Sequence, residues 1–134
     1  MVNDLEKTRD FWINTLGFKL NIEAKEESPY IDELLAINDP ALTTVKLIDS
    51  KGFIIELLKF DNYQIEHSWS GDLKTTGLTH IALTVDDLDE IIAILRKLDY
   101  QTLSEIKTSP NKKVKVVFVR GPEGIMLELV QELV

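Results

Sequence analysis

The segment Gly52-Phe-Ile-Ile-Glu-Leu-Leu58 returns 72 residues later as Gly124-Ile-Met-Leu-Glu-Leu-Val130: a glycine, an apolar run and one carboxylate in its middle. Two further matches keep the same order. Val2-Asn-Asp-Leu5 answers Val85-Asp-Asp-Leu88 at a spacing of 83, and Leu16-Gly-Phe18 answers Leu98-Asp-Tyr100 at 82. A repeat of this kind implies two copies of one supersecondary unit sharing a core. The 134 residues suit one domain or two small half-domains, and a hydrophobic content of 44% is enough to fill that core.

Periodicity sets the elements of each copy. Leu5, Phe11, Trp12, Ile13 and Leu16 fall near helical spacing between Asp4 and Leu16, with Asn3 or Asp4 able to cap the first turn. Gly17 accepts the left-handed conformation usual just past a helix and should end it. Residues 18–25, FKLNIEAK, alternate as a half-buried strand does, and 30–37 reads as a short helix or ordered loop. Strands are expected over 42–48 and 53–60, joined by a hairpin turn at Asp49-Ser-Lys-Gly52. The second copy reads as a strand over 78–85, a helix over 87–98 with Asp87 and Glu90 as a capping box, and strands over 101–106, 114–119 and 125–131. Its turns are Ser109-Pro-Asn-Lys112 and Gly121-Pro-Glu-Gly124. Residues 61–77 carry neither period and hold two glycines with several Ser and Thr, so they form the expected linker between modules at 1–60 and 78–134.

Charge and composition exclude several classes of function. The formal net charge of −8 repels nucleic-acid phosphates and anionic membranes over most of the surface. There is no cysteine for a disulfide or a thiolate. The opening Met-Val-Asn-Asp-Leu-Glu is neither a signal peptide nor a membrane span, and the cytoplasm is the expected compartment.

The stretches VNDLEKTRDFWINTLGFKL, THIALTVDDL and VVFVRGPEGIMLELVQEL together resemble the vicinal oxygen chelate superfamily, the group of glyoxalases, bleomycin-resistance proteins and extradiol dioxygenases. The resemblance runs over nearly the whole chain. It implies an α+β fold of two βαβββ modules forming a curved, partly open mixed sheet around a metal and substrate cleft, with helices outside. It also implies a homodimer, because modules of this family generally pair. The first module is reduced to αβββ here. The step that separates His80 from Val85, taken back from Val2, falls before Met1, so we expect either a late start to the reading frame or a lost first strand.

The same resemblance gives the two repeated glutamates a role. Metal ligands in this family come from the first and last strands of each module, which by position are Glu56, His80 and Glu128. A carboxylate inside an apolar strand is costly unless it is paired, neutralised or bound to a cation, and a divalent metal would satisfy both glutamates. Mixed oxygen and nitrogen donors suit Ni, Co, Zn, Mn or Fe(II). His67, in the linker, is a further candidate for the fourth ligand. Either glutamate alone could simply point to solvent from a strand covered on one side, and His80 alone could be an ordinary histidine. The repetition and the Val-Asp-Asp-Leu turn beside His80 favour ligation.

The resulting expectation is a metal-dependent lyase or isomerase of glyoxalase type, acting on a small substrate with neighbouring oxygens. The metal would serve as Lewis acid and Glu128 or Glu56 as the base. Arg9, Asn111, Lys112 and Arg120 are the candidate substrate contacts, since a strand-end arginine can clamp a carboxylate or phosphate and the 109–112 turn often borders the cavity in related proteins. Charged residues at turns are also commonly just solvated. The alternatives are a binding or sequestering protein of the bleomycin-resistance kind without chemistry, and an extradiol dioxygenase using Fe(II).

Overall fold

In this computed structural model residues 1–66, 69 and 72–133 are described. The chain divides into two compact units, Met1–Ser68 and Trp69–Val134.

The first unit opens with helix α1 (Leu5–Asp10), which widens into a π-helical turn over Phe11–Thr15. Asp4 caps it, its carboxylate accepting from the Lys7 N–H at 2.9 Å. The buried stripe is Thr8, Phe11, Trp12 and Thr15, so two threonines complete the helical spacing that hydrophobicity alone would have given to Leu5 and Leu16, both half-exposed. Trp12 meets the Phe18 ring edge-on at 5.1 Å, just after the helix ends. Strand β1 (Lys19–Glu26), the short helix α2 (Tyr30–Leu35) and strands β2 (Leu42–Ile48) and β3 (Ile54–Phe60) follow. The three strands form an antiparallel sheet in the order β1-β2-β3, with a bulge between Leu20 and Ile22.

One face of this sheet is buried along β2, and the other is buried at Leu42 and Thr44 and more exposed toward Lys46, Ile54 and Glu56. Val45, Leu47, Ile55 and Leu57 are buried, and α1 lies against β3. Alternation places Ile22, Lys46 and Glu56 in one cross-strand row on the opposite face. Asp49 fixes this register, because its side chain accepts from the N–H groups of Lys51 and Phe53, both at 2.8 Å, and so closes the hairpin.

The second unit repeats the plan with a strand before its helix. Strand β4 (Ile81–Thr84) leads to α3 (Leu88–Lys97), then β5 (Lys107–Thr108), β6 (Val114–Arg120), a 3-10 turn (Pro122–Gly124) and β7 (Met126–Glu132). The sheet order is β4-β7-β6-β5, with β4 parallel to β7 and the other pairs antiparallel. Asp87 caps α3 by accepting from the Glu90 N–H at 2.9 Å. Leu88, Ile92 and Leu95 are buried on the helix, as are Val117, Val119, Leu127 and Leu129 on the sheet. Truncating a fully buried leucine of this set would cost about 2–5 kcal/mol.

Two expected strands differ from the observed ones. The strand expected over 78–85 pairs only from Ile81, because its parallel partner β7 starts at Met126 and leaves nothing to pair with Leu78 and Thr79. The strand expected over 101–106 is reduced to a bridge between Thr102 and Val119. Leu103 still donates to the Phe118 carbonyl, and beyond it the chain leaves β6, with Glu105 in an exposed ion pair with Arg96 at 2.8 Å. No helix among the described residues is long and apolar enough to cross a membrane.

Candidate functional site

The face of the second sheet away from α3 gathers the chemically useful groups. Lys115 pairs with Asp89 of α3, so Lys115, Val117 and Val119 look toward the helix, and Val116, Phe118 and Arg120 look the other way. On β7 the same alternation sets Leu127 and Leu129 inward and Met126, Glu128 and Val130 outward. Phe118 stands directly across from Glu128. On the other side of β7, Ala82 is the parallel partner of Glu128, and His80 lies two residues before it.

His80 turns its ring into this row. Its Nε2 lies 3.2 Å from Glu128 Oε2, with the two side chains 33% and 27% exposed. Its Nδ1 is 2.9 Å from the Thr79 hydroxyl, and the ring meets Phe118 edge-on at 5.1 Å. Three contacts therefore fix one imidazole. A ring that offers the Nε2 lone pair carries its proton on Nδ1 and can donate it to Thr79 Oγ1, the kind of outer partner that orients metal-binding histidines.

Glu56 is placed differently. It lies on the more exposed face of the first sheet, and its Oε1 is 3.6 Å from Lys46 Nζ, directly across the hairpin. The cost of burial that pointed to a cation is therefore absent at Glu56, since the side chain is 43% exposed and already faces an ammonium. Lys46 is the residue that reading each charge singly overlooks. A turn over 49–52 would have paired position 46 with Ile55; the connection observed is one residue longer, with Ile48 opposite Ile54, and that shift brings Lys46 opposite Glu56.

The four expected substrate contacts separate. Arg120 sits at the end of β6 on the same face as Phe118 and Glu128, half-buried, and among the described residues its guanidinium makes no ion pair or hydrogen bond. Arg9 pairs with Glu23 at 3.5 Å. Glu23 is in register with Val45 and Leu57, so Arg9 belongs to the helix side of the first sheet, away from Glu56. Asn111 is engaged within its own turn, accepting from Ser109 Oγ at 2.7 Å. Lys112 is exposed in that turn. The turn precedes Val114, which lies four residues from Phe118 along β6, about 13 Å at the usual strand rise. His67 lies outside the described residues.

The donors of the second unit suit a divalent cation: an imidazole nitrogen and a carboxylate oxygen converge on a partly sheltered patch, a mixed set that borderline metals accept. Among the described residues no group of three or more His, Asp or Glu is assembled to hold a metal. The fit is thus to a pair of ligands, His80 and Glu128.

Comparison with known proteins agrees with this architecture. The family model of the Glyoxalase/Bleomycin resistance protein/Dioxygenase superfamily matches residues 1–129, and the chain belongs to that superfamily. Members of it commonly use divalent metals. The lactoylglutathione lyase of Escherichia coli O157:H7 is 25% identical over 98% of this chain and 87% of its own length. Uncharacterized protein YwkD of Bacillus subtilis (strain 168) is 26% identical over 97% of this chain and 90% of its own. The crystal structure of a glyoxalase family protein from Bacillus cereus superposes with a TM-score of 0.90 over 99% of this chain and 89% of its own, at 23% identity, a likeness of fold.

Proposed function

We propose that this protein is a metal-dependent lyase or isomerase of glyoxalase type, with His80 and Glu128 as the pair that holds the metal. The 3.2 Å approach of His80 Nε2 to Glu128 Oε2 on the face left uncovered by α3 carries this reading. The bound cation would supply Lewis acidity, stabilising negative charge on a substrate oxygen.

The chain's own residues do the rest. Glu128 takes the proton from the substrate carbon beside a carbonyl and returns it to the neighbouring carbon, which moves a hydrogen without a net change of oxidation state. His80, held by Thr79 and Phe118, would keep its Nε2 lone pair turned toward the metal beside Glu128. Phe118 shields one side of the pair from water, and Arg120 binds an anionic group of the substrate. The substrate is a small molecule with neighbouring oxygens. The protein works as a homodimer in the cytoplasm, a state that light scattering at micromolar concentration would reject by returning a monomer mass.

Titration of Ni, Co, Zn, Mn and Fe(II) into the wild type, His80→Ala and Glu128→Gln tests the site. One-to-one binding weakened at least tenfold in both variants, together with metal-dependent turnover of lactoylglutathione, is the expected result. Binding that ignores both substitutions would reject the assignment of these two ligands.

A specific observation favours a second reading. Lys46 already neutralises Glu56, which suits a binding protein of the bleomycin-resistance kind that needs no full set of metal ligands. Tight binding of a small ligand with no turnover under any of the five metals would select it.

A further inference from the structure

Both ring nitrogens of His80 have an oxygen partner within the second unit. Nε2 lies 3.2 Å from Glu128 Oε2, and Nδ1 lies 2.9 Å from Thr79 Oγ1. The two partners differ in what they can do. An ionised carboxylate only accepts hydrogen bonds, whereas a hydroxyl can donate one and accept others.

That difference fixes the proton of a neutral ring. Facing Glu128, Nε2 carries the N–H, which leaves a lone pair on Nδ1 for the Thr79 O–H. A cation shared by His80 and Glu128 needs the reverse arrangement, with the Nε2 lone pair free for the metal and the proton on Nδ1. The Thr79 hydroxyl meets both demands by turning its hydrogen while its oxygen stays in place. We propose that Thr79 is a positioning residue that follows His80 between its two tautomers, donating to Nδ1 in the metal-free protein and accepting from it in the loaded one. The ring stays neutral throughout, since the proton lost from Nε2 to solvent is matched by one gained at Nδ1. This rests on the metal pair proposed above. Phe118 meets the ring edge-on at 5.1 Å, which limits how the imidazole can swing away from the hydroxyl. Adjacent residues also touch merely because they are adjacent, so the test must read where the proton sits.

NMR of the full chain with 15N in its imidazoles supplies that reading, because protonated and unprotonated ring nitrogens differ widely in shift. The chain holds two histidines, and His80→Ala assigns the signals. Spectra are taken where the shifts no longer change with pH, so that the ring is neutral, with and without Zn2+, which is diamagnetic. The wild type is expected to show Nε2–H without metal and Nδ1–H with it. Thr79→Val removes the hydroxyl at nearly constant shape. It should keep the metal-free tautomer, which Glu128 still dictates, but bind Zn2+ about tenfold more weakly and lose the Nδ1–H signal to exchange with water. Thr79→Ser should restore both, and Thr79→Ala repeats the comparison with a smaller side chain, amide spectra checking the fold of each. An Nδ1–H tautomer in the metal-free wild type would overturn the role of Thr79 and keep the metal pair. So would His80-dependent Zn2+ binding that leaves the tautomer unchanged, or wild-type affinity in both Thr79→Val and Thr79→Ala. Zn2+ binding that ignores His80→Ala would sink the pair itself, and the tautomer reversal with it.

Discussion

The N–H of Val2 donates to the carbonyl of Leu58, and this single bond ties the residue ahead of α1 to the outer edge of β3. Its counterpart between Val85 and Val130 continues the parallel pairing of β4 with β7 by one residue. Val2 is also buried, so the contact has both a polar and an apolar part. Val2→Pro deletes the donor and is expected to lower stability by about 1–2 kcal/mol. Urea unfolding followed by circular dichroism would measure it, with Val85→Pro alongside. A loss in the second variant only would show that the first module does not depend on this bond.

Asp49 controls the register that sets Lys46 opposite Glu56. Its carboxylate accepts two backbone N–H groups of the hairpin, and the turn places Ile48 opposite Ile54 and hence Lys46 opposite Glu56. Asp49→Ala should cost about 1–2 kcal/mol, while Asp49→Asn, which keeps an acceptor oxygen, should cost less than half as much. Melting curves of the two variants would decide. Equal losses would mean that the carboxylate charge, and not its hydrogen bonds, holds the turn.

Phe118 acts on the metal pair through His80. Its ring meets the imidazole edge-on, and with Thr79 it limits how the histidine can turn. Phe118→Ala is expected to weaken metal binding about three- to tenfold and to lower stability by about 1–3 kcal/mol. Phe118→Tyr should restore both. A variant that loses stability but binds metal as the wild type does would limit Phe118 to packing.

Much of this was legible in the sequence, for physical reasons that differ from place to place. The repeated glutamate strands and the capped helix at Asp87 declare themselves locally, by alternation, spacing and a side chain that caps its own helix. The stripe on α1 did not, because Thr8 and Thr15 are polar by type and buried by position. The stretch from Gln101 to Ile106 alternates well enough to suggest a strand, yet it meets its neighbour only at the bridge between Thr102 and Val119, since strand pairing depends on a partner that local alternation does not supply. The pairing of Lys46 with Glu56 was not legible, because a turn over 49–52 sets position 46 opposite 55, and a connection one residue longer shifts the register. Nothing in the sequence alone separates Arg9, which is consumed by Glu23, from Arg120, which is not.

Arg120 is therefore the cation to test for substrate recognition. It shares a face with Glu128 and lies half-buried at the strand end, in a chain whose net charge is −8. A partly sheltered guanidinium without a partner among the described residues suits a carboxylate or phosphate, which it can bind through two parallel hydrogen bonds. Arg120→Ala is expected to raise KM for an anionic substrate about 10- to 100-fold with kcat changed less than about threefold, the pattern of lost ground-state binding. Arg120→Lys keeps the charge but not the fork and should fall between. Steady-state kinetics with a carboxylate substrate and its neutral methyl ester supply the decisive comparison: the wild type should discriminate between them and Arg120→Ala should not. If the variant still prefers the carboxylate by the wild-type margin, another residue reads the anion.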